Sequence, residues 1–290
     1  MKIVMTGATG FLGGYIAKRL TELHQVWCIV RKDSIIQDLS SIPVALIYSD
    51  RYDNLYDELQ KVKPDLVIHL AGVFLGEHNR DNIEGMLEAN LKFTCVFWDA
   101  AFQAGCKNFI NTGTYWQNYL GETYNPVNLY AATKQAAEDL LLYYIKVKKS
   151  KAITMQIFDS YGPNDKRNKV LNLVAKLQNG DEIDMSQGEQ KLYFCYVEDI
   201  VSAYERAIEL VVSMDEGEYH KYAIRSKDPI SLHTIIDEYL QIAGKDIKCN
   251  WGKRSYRERE IMNPDGIGEP LPGWEAKYTL QQGLQKYICS

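Results

Sequence analysis

The stretch MTGATGFLGG, residues 5–14, decides the fold of this chain. It follows the apolar run KIVM and precedes an amphipathic segment over 11–23, so a strand, a loop and a helix are predicted in that order. Gly7, Gly10 and Gly13 have the spacing G-x-x-G-x-x-G. Such glycines let the backbone approach a pyrophosphate, and the free amides at the start of the helix bind the anion. The stretch therefore predicts a dinucleotide-binding unit.

Short apolar runs alternate with longer amphipathic segments through the rest of the first half. The runs are QVWCIV (25–30), VALIY (44–48), DLVIHLAG (65–72), KNFIN (107–111) and AITMQIF (152–158), and the helical segments span 53–62, 81–104 and 128–149. Continuous apolar strands separated by helices are typical of a parallel sheet covered on both faces. We therefore predict an α/β protein with a Rossmann-like, doubly wound parallel sheet.

The pattern changes after about residue 160. The turn-rich segment YGPNDKRNK (161–169) is followed by helical segments near 167–179, 199–212, 231–243 and the C-terminus, with strand candidates in 181–196 and 218–224. This half predicts a smaller, interleaved α+β substrate lobe. The predicted division is a dinucleotide-binding domain over 1–160, to which 195–212 returns, and a substrate lobe over 161–194 and 213–290.

Composition narrows the class of partner and the compartment. The net charge of −5 offers no basic field for nucleic acid or an anionic membrane surface, so neither is expected as a partner. No apolar run approaches the about 18 residues of a membrane span. The six cysteines contain no C-x-x-C pair, which suits a reducing cytoplasm. We expect no metal.

The end of the second predicted strand, IVRKDS (29–34), bears on the choice of cofactor. Arg31 and Lys32 offer positive charge to a 2′-phosphate where an acidic residue would bind a 2′-hydroxyl, so NADP(H) is preferred. Two alternatives stay open: Arg31 stacks on adenine or faces solvent, and Asp33 serves the ribose, in which case NAD(H) is the cofactor. Asp50, after the third strand, is predicted to meet the adenine amino group.

The motifs together resemble those of the extended short-chain dehydrogenases/reductases, the NAD-dependent epimerase/dehydratase type that acts on nucleotide sugars. The motifs, which span the chain, are TGATGFLG (6–13), HLAG (69–72), EANLKF (88–93), NTGTYW (111–116), YAATK (130–134), DSYGP (159–163), YVEDIVSAY (196–204) and GWEAKYTLQQGL (273–284). The resemblance implies an NAD(P)-dependent oxidoreductase.

The resemblance also implies roles for individual residues. The catalytic residues would be Thr112, Tyr130, Lys134 and Asn90. Thr114 competes with Thr112, which is preferred because it lies four residues before Trp116, as the family's hydroxyl residue precedes its V-Y-G tyrosine. The cofactor would be bound by Gly7, Thr9, Gly10, Phe11, Leu12, Gly13, Arg31, Lys32, Asp50, Leu70, Ala71, Gly72, Tyr130 and Lys134.

The chemistry explains why Tyr130 and Lys134 occur one helical turn apart. A phenol has a pKa near 10, so to exchange a proton near pH 7 its pKa must be lowered by about 3 units. A nearby ammonium has the sign needed to lower it. The same lysine can hold the nicotinamide ribose, Thr112 would orient the substrate oxygen, and the cofactor carries the hydride.

Departures from the family pattern narrow the reaction. Dehydratases of this family carry Asp-Glu after the catalytic threonine, whereas this chain has Gly113 and Thr114. With NADPH preferred, a ketoreductase is favoured. The tracts GEQKLYFCYVEDIVSAY (188–204) and REREIM (257–262) are similar to those of nucleoside-diphosphate 4-keto-6-deoxysugar reductases of the CDP-abequose and CDP-paratose synthase type. The product would be a deoxysugar nucleotide for a surface polysaccharide.

Substrate contacts follow from the same resemblance. Thr114, Asp159, Lys169 and Arg257 are predicted to contact the nucleotide sugar, against the alternative that each is a surface or packing residue. The family's arginine before the V-x-D segment is Leu192 here, with Lys191 as a candidate replacement.

Other functions and the oligomeric state stay open. An epimerase with tightly bound NAD is the alternative enzyme, and a non-catalytic dinucleotide-sensing regulator is the alternative from a different class. A homodimer is expected through helices 81–104 and 128–149. Phe93, Phe97, Leu141 and Tyr144 are candidates for the contact, although core packing explains them equally well.

Overall fold

A computed structural model of the protein describes residues 1–49, 52 and 54–289. Asp50, one of the predicted cofactor contacts, lies outside the described residues. The strands are β1 (Lys2–Thr6), β2 (Gln25–Val30), β3 (Ala45–Tyr48), β4 (Leu66–His69), β5 (Asn108–Thr114), β6 (Lys151–Ile157), β7 (Asp159–Tyr161), β8 (Glu182–Asp184), β9 (Lys191–Leu192), β10 (Phe194–Tyr196), β11 (Tyr219–Ile224), β12 (Ile230–Ser231), β13 (Lys248–Asn250) and β14 (Glu269–Pro270). The helices are α1 (Phe11–Leu20), α2 (Leu55–Val62), α3 (Ile83–Leu87), α4 (Phe93–Gln103), α5 (Leu129–Lys148), α6 (Val170–Lys176), α7 (Val197–Ser213), α8 (Leu232–Ala243) and α9 (Leu280–Ile288).

The main sheet confirms the predicted fold class. Its eight strands run in the order β3-β2-β1-β4-β5-β6-β11-β14, and every neighbouring pair is parallel. Thr6 of β1 is level with His69 of β4, which is level with Asn111 of β5. The carboxyl ends of the central strands therefore meet at one edge, where ligands bind in open α/β sheets.

Alternating residues of the strands pack against helices on both faces. Ile3 and Met5 of β1 lie in a core with α1 and α7, whereas Val4 between them lies in a core with α2, α4 and α5. All three side chains are fully buried. Burial of each such side chain contributes about 1.5–3 kcal/mol, which is why the central strands are apolar on both faces.

The C-terminal part of the chain divides between the main sheet and a smaller lobe. Residues 213–290 were predicted to belong to the smaller lobe, but β11 pairs with β6 and β14 with β11, so both extend the main sheet. Ala223 and Ile224 of β11 are buried there. The remaining segments, including α6, α8 and α9, pack around a separate core that contains Val174, Ile235 and Leu284.

The two long helical segments of the first half differ from expectation in detail. The segment 81–104 is interrupted by a π-helical turn, Glu88–Lys92, between α3 and α4. Phe97 and Leu141, two candidates for a dimer contact, are fully buried against the sheet and cannot reach a partner. Among the described residues, no helix is both long and apolar enough to cross a membrane.

Candidate active site

The glycine loop after β1 forms a tight cradle. Gly7 has a φ of +75°, and a Cβ there would lie 2.6 Å from the backbone nitrogen of Ala71. A Cβ on Gly13 would lie 2.0 Å from the carbonyl oxygen of Gly7. The following helix α1 has Gly10 as its N-cap and no side chain bonded to its first amides. This arrangement fits a dinucleotide pyrophosphate, which needs close backbone approach and free amides.

A cavity extends from this loop along the carboxyl edge of the sheet. It is walled by the glycine loop, the segment after β4, the ends of β5 and β6, and the start of α5. The lining residues are Gly7, Gly10, Phe11, Leu12, Gly13, Leu70, Gly72, Phe74, Gly113, Thr114, Tyr115, Trp116, Tyr130, Ile157, Phe158, Asp159, Ser160, Arg167 and Lys169. The predicted cofactor and substrate segments therefore share one continuous cavity.

Tyr130 reaches this cavity from the first turn of α5. Asn128 caps the helix by accepting a bond from the Ala131 amide at 2.9 Å and donates to the Gly76 carbonyl at 2.8 Å. The Tyr130 ring packs edge-on against Phe74, with ring centres 4.9 Å apart. Within the described part of the chain its hydroxyl has no hydrogen-bond partner. The phenol is thus held in place with its polar end available to a ligand.

Lys134 lies one turn further along α5 and is 4% exposed. No acceptor among the described residues is bonded to its ammonium group. Lys134 is not among the residues that line the cavity, so its predicted contact with the nicotinamide ribose stays a prediction.

The pKa values differ from the sequence-based expectation. Burial raises the pKa of Tyr130 to about 12, and Arg167 is the positive group that opposes this rise. Burial lowers the pKa of Lys134 to about 8, opposed by Glu138. Burial outweighs nearby charge at this phenol. The expectation that the Lys134 ammonium supports proton exchange by Tyr130 stays a prediction. At neutral pH the phenol carries its proton.

Asn90 lies in the π-helical turn and supports the site from behind. Its Oδ1 accepts a bond from the Val73 amide at 2.7 Å, and its Nδ2 donates to the Val73 carbonyl at 3.1 Å and to Thr133 Oγ1 at 2.9 Å. The side chain is buried and does not line the cavity. It therefore ties the segment after β4 to α5, and its predicted catalytic role stays a prediction.

The two threonines of β5 occupy different positions. Thr114 lines the cavity, and its Oγ1 accepts a bond from the Trp116 amide at 3.3 Å. Thr112 lies two residues earlier and does not line the cavity; its Oγ1 is 2.6 Å from the hydroxyl of Tyr204 in α7. The structure thus brings Thr114, and not the preferred Thr112, to the cavity with Tyr130.

The predicted substrate residues lie around the same cavity. Lys169 Nζ is 3.4 Å from Asp159 Oδ1 and 5.3 Å from the centre of the Phe74 ring. Asp159 also accepts a bond from the Tyr115 hydroxyl at 2.7 Å. Arg257 does not line the cavity but stacks over Trp116, with its guanidinium carbon 5.1 Å from the ring centre. These contacts combine cationic groups with aromatic walls.

Several predicted contacts lie away from the cavity. Thr9, Ala71, Arg31, Lys32 and Lys134 do not line it. Arg31 is exposed just after β2, and its Nε is 3.2 Å from Asp33 Oδ1. Both alternatives for this segment, a 2′-phosphate contact and a solvent-facing residue, are compatible with that position. Lys191 is exposed in β9 and is not among the lining residues either.

Sequence reasoning missed Arg167, which lines the cavity. It lies in the turn-rich segment before α6, and its position depends on Asp165, whose side chain is 1% exposed and pairs with it at 2.7 Å. The available signal was an acidic and a basic residue two positions apart in a loop. That pattern is too common to predict a place in a cavity.

His69, which was expected to be buried and structural, is fully buried between Thr6 and Thr94.

The parallel sheet, the glycine loop and the cavity beside Tyr130 fit a dinucleotide-binding protein. Residues 3–224 match the NAD dependent epimerase/dehydratase family, and the chain belongs to that family. It is 30% identical to the CDP-abequose synthase of Yersinia pseudotuberculosis, over 91% of this chain and 92% of that protein. It is 23% identical to the CDP-abequose synthase of Salmonella muenchen, over 99% of this chain and 97% of that protein.

A solved structure has the same fold. The UDP-glucuronic acid 4-epimerase of Bacillus cereus, in complex with UDP-glucuronic acid and NAD, has a TM-score of 0.81 and 21% identity, covering 100% of this chain and 98% of that one. The predicted family membership, and the predicted similarity to abequose synthases within it, are confirmed.

Proposed function

We propose that the protein is a nucleotide-sugar oxidoreductase that reduces the 4-keto group of a nucleoside-diphosphate 4-keto-6-deoxyhexose with NADPH. The observation that supports an enzyme is the Tyr130 hydroxyl, which has no partner among the described residues and faces the cavity that contains the glycine loop. Similarity to a CDP-abequose synthase across 91% of the chain supports this reaction class. The product would be a deoxysugar nucleotide for a surface polysaccharide.

The side chains have separate roles in the proposed reaction. Tyr130 donates its proton to the carbonyl oxygen as hydride adds to the carbonyl carbon. Its pKa of about 12 means that the phenol is protonated at neutral pH. Lys134 offers a positive charge to the resulting phenolate and hydrogen bonds to the ribose. Thr114 replaces Thr112 as our proposed contact to the reacting oxygen, because Thr114 lines the cavity.

The diphosphate of the nucleotide sugar would lie against the two cationic side chains that pack on aromatic rings of the cavity. Lys169 lies beside Phe74 and Arg257 lies over Trp116, and both aromatic rings line the cavity. A guanidinium and an ammonium both suit diphosphate oxygens. Asp159, paired with Lys169, would accept bonds from sugar hydroxyls.

A substrate panel tests the proposal directly. Purified protein is mixed with CDP-, dTDP-, UDP- and GDP-linked 4-keto-6-deoxyhexoses, each with NADPH and with NADH, and the loss of absorbance of the reduced cofactor is followed. We expect stoichiometric oxidation with at least one sugar. Absence of cofactor oxidation across the panel would contradict the reductase.

The preference for NADPH rests on Arg31 and Lys32 at the end of β2. The solved relative described above contains NAD, and Asp33 beside Arg31 offers a carboxylate for a ribose. Dissociation constants of NADPH and NADH, measured for the wild type and for Arg31→Ala, show which of the two cofactors the protein prefers. Because Arg31→Ala removes a charge-assisted hydrogen bond, we expect NADPH to bind about tenfold more weakly and the affinity for NADH to stay unchanged. Equal affinity of the wild type for both cofactors would show that there is no preference.

A nucleotide-sugar epimerase is the second candidate, favoured by the epimerase whose structure has the same fold. Such an enzyme keeps NAD bound and returns it to its starting state in each turnover. NAD that remains with the protein through purification, and isomerisation of a UDP-sugar without net cofactor oxidation, would favour this candidate. A non-catalytic sensor is disfavoured because no side chain of the described residues is bonded to the Tyr130 hydroxyl.

We also propose that the protein works in the cytoplasm on a small-molecule nucleotide sugar, with no nucleic-acid or membrane partner. The six cysteines are free thiols, as expected in a reducing compartment. The net charge of −5 gives no attraction to phosphate backbones.

A further inference from the structure

Arg167 is held rigidly at the wall of the cavity. Its Nε and Nη2 donate to the two oxygens of Asp165, each at 2.7 Å. Nη2 also donates to the carbonyl and hydroxyl oxygens of Ser160, at 3.0 and 3.1 Å. Three of the five guanidinium donors thus have fixed partners. An arginine bound in this way is already oriented before a ligand arrives.

The remaining donors belong to Nη1. The guanidinium is planar, and the Nε and Nη2 edge faces Asp165, so Nη1 lies on the opposite side of the group. Among the described residues no acceptor is bonded to Nη1. The side chain is 32% exposed and lines the cavity. Two N–H groups are therefore available to a bound ligand.

The position of the guanidinium shows which ligand group can reach it. Its central carbon lies 4.5 Å from the ring centre of Phe11, the residue that follows Gly10 at the start of α1. The loop that carries it is fastened to α1 by a bond from the Tyr15 hydroxyl to the Pro163 carbonyl at 3.0 Å. Arg167 thus lines the cavity beside the start of α1, and Lys169, two residues further on, lines the same cavity.

We propose that Arg167 is a ligand-binding residue whose Nη1 donates hydrogen bonds to the oxygens of a diphosphate. The diphosphate belongs either to the dinucleotide or to the nucleotide sugar, since both contain this group and both would lie in this cavity. The inference rests on the proposed function only in that the site binds such molecules, and it does not depend on the reaction.

Because Asp165 neutralises Arg167, the proposed contact differs from the one that an unpaired surface cation would make. The pair has no net charge, and the Asp165 side chain is buried, so recognition relies on directed hydrogen bonds more than on a long-range field. The double variant Asp165→Asn with Arg167→Gln keeps the net charge of the loop and leaves no buried carboxylate without its partner. A loss of affinity in this variant therefore reports the local contact.

The experiment measures binding, not turnover. Isothermal titration of the full chain with NADPH, NADH, CDP and UDP is carried out for the wild type, the double variant and Lys166→Gln, an exposed cation of the same loop. We expect the double variant to bind one class of probe at least about tenfold more weakly, with Lys166→Gln unchanged. Weaker binding of the dinucleotides would show that Arg167 contacts the diphosphate of the cofactor. Weaker binding of CDP and UDP would show that it contacts the diphosphate of the substrate.

Affinities unchanged within twofold for all four probes would overturn the inference while leaving the proposed function intact. Failure of the wild type to bind any of the probes would overturn both. If the double variant does not fold, as judged by thermal melting, Arg167→Lys serves in its place. That variant keeps the positive charge beside Asp165 but loses the planar fork, so the same loss of affinity is expected.

Discussion

The hydroxyls of Thr112 and Tyr204 lie 2.6 Å apart and form a hydrogen bond between β5 and α7. Tyr204 is fully buried, and burial is the main cause that raises the pKa of its hydroxyl. The Thr112 side chain therefore provides the partner that a buried phenol needs. Thr112 and Thr114 are two residues apart and point to the same face of the strand, but Thr114, closer to its carboxyl end, lines the cavity.

Valine substitutions should separate these two threonines. Thr112→Val leaves the Tyr204 hydroxyl without its partner and should lower the free energy of unfolding by about 1–3 kcal/mol, with turnover little changed. Thr114→Val should lower kcat by about tenfold or more, because the reacting oxygen loses a donor. Denaturant titration and steady-state kinetics measure the two effects.

Thr114→Ser is the matched control, since serine keeps both the hydroxyl and the bond from the Trp116 amide. Tyr204→Phe, which removes the other hydroxyl of the buried pair, should restore part of the stability of Thr112→Val. A large loss of kcat in Thr112→Val, with normal activity in Thr114→Val, would return the catalytic assignment to Thr112.

Replacement of Tyr130 by phenylalanine removes the proposed proton donor while keeping the ring that packs on Phe74. We expect kcat to fall by at least about a hundredfold, the contribution of a positioned general acid. Stability should not fall, because the hydroxyl has no partner to lose within the described structure. Tyr124→Phe is the control: Tyr124 precedes α5, is 65% exposed and does not line the cavity. A wild-type rate in Tyr130→Phe would contradict the mechanism.

The order of strands and helices in the first half was readable from the sequence because buried parallel strands are short apolar runs. Placement of β11 in the main sheet was not, since EYHKYAI mixes polar and apolar residues. Its partner β6 lies more than 60 residues earlier, and a pairing over that distance leaves no local signal.

The site was predictable where one motif fixes one geometry. The glycine loop and the start of α5 are local arrangements, so Gly7, Gly13 and Tyr130 occupy the expected places. The family's spacing before its V-Y-G tyrosine predicts Thr112 as the catalytic hydroxyl. That spacing does not show where β5 ends, and in the structure Thr114 itself caps the short helical turn that contains Trp116.

The pH dependence of kcat/KM should reflect the ionisation of Lys134. Its pKa is lowered to about 8, first by burial, while that of Tyr130 is raised to about 12. Reduction needs the phenol protonated and the ammonium charged, so kcat/KM should be constant below pH 8 and fall as the pH rises through about 8. The phenol still carries its proton there, so the fall reports the lysine. Profiles of kcat/KM report the free enzyme.

Two variants test whether Lys134 causes the fall in kcat/KM, and they should change the pH profile in different ways. Glu138 raises the Lys134 pKa, so Glu138→Gln should move the fall in kcat/KM to lower pH. Lys134→Arg keeps its charge at every assay pH, so the fall should disappear. A fall at the same pH in all three proteins would show that another group controls it.

The oligomeric state can be predicted from apolar side chains that the fold leaves exposed. A groove between α3, α4 and α5 is lined by the apolar residues Ile83, Leu87, Leu91, Cys95 and Leu140 and by the charged residues Arg80, Glu84, Glu88 and Lys92. On α5 nearby, Tyr143 and Val147 are 60% and 56% exposed. Exposed apolar residues gathered on one face are typical of association surfaces. We expect a homodimer through this face, in place of the buried Phe97 and Leu141.

Glutamate at Leu87 or Tyr143 should convert that dimer to a monomer, because a second copy would have to bury an unpaired charge. Sedimentation velocity over a range of protein concentrations measures the change. Ile35→Glu is the control, since Ile35 is also apolar, is 82% exposed and lies far along the chain from this face. A monomeric wild type, or a dimer that persists in both Leu87→Glu and Tyr143→Glu, would contradict the prediction. The glycine loop and Tyr130 of the same protomer line the cavity, so we expect the monomeric variants still to bind the dinucleotide. A loss of binding would show that association also supports the site.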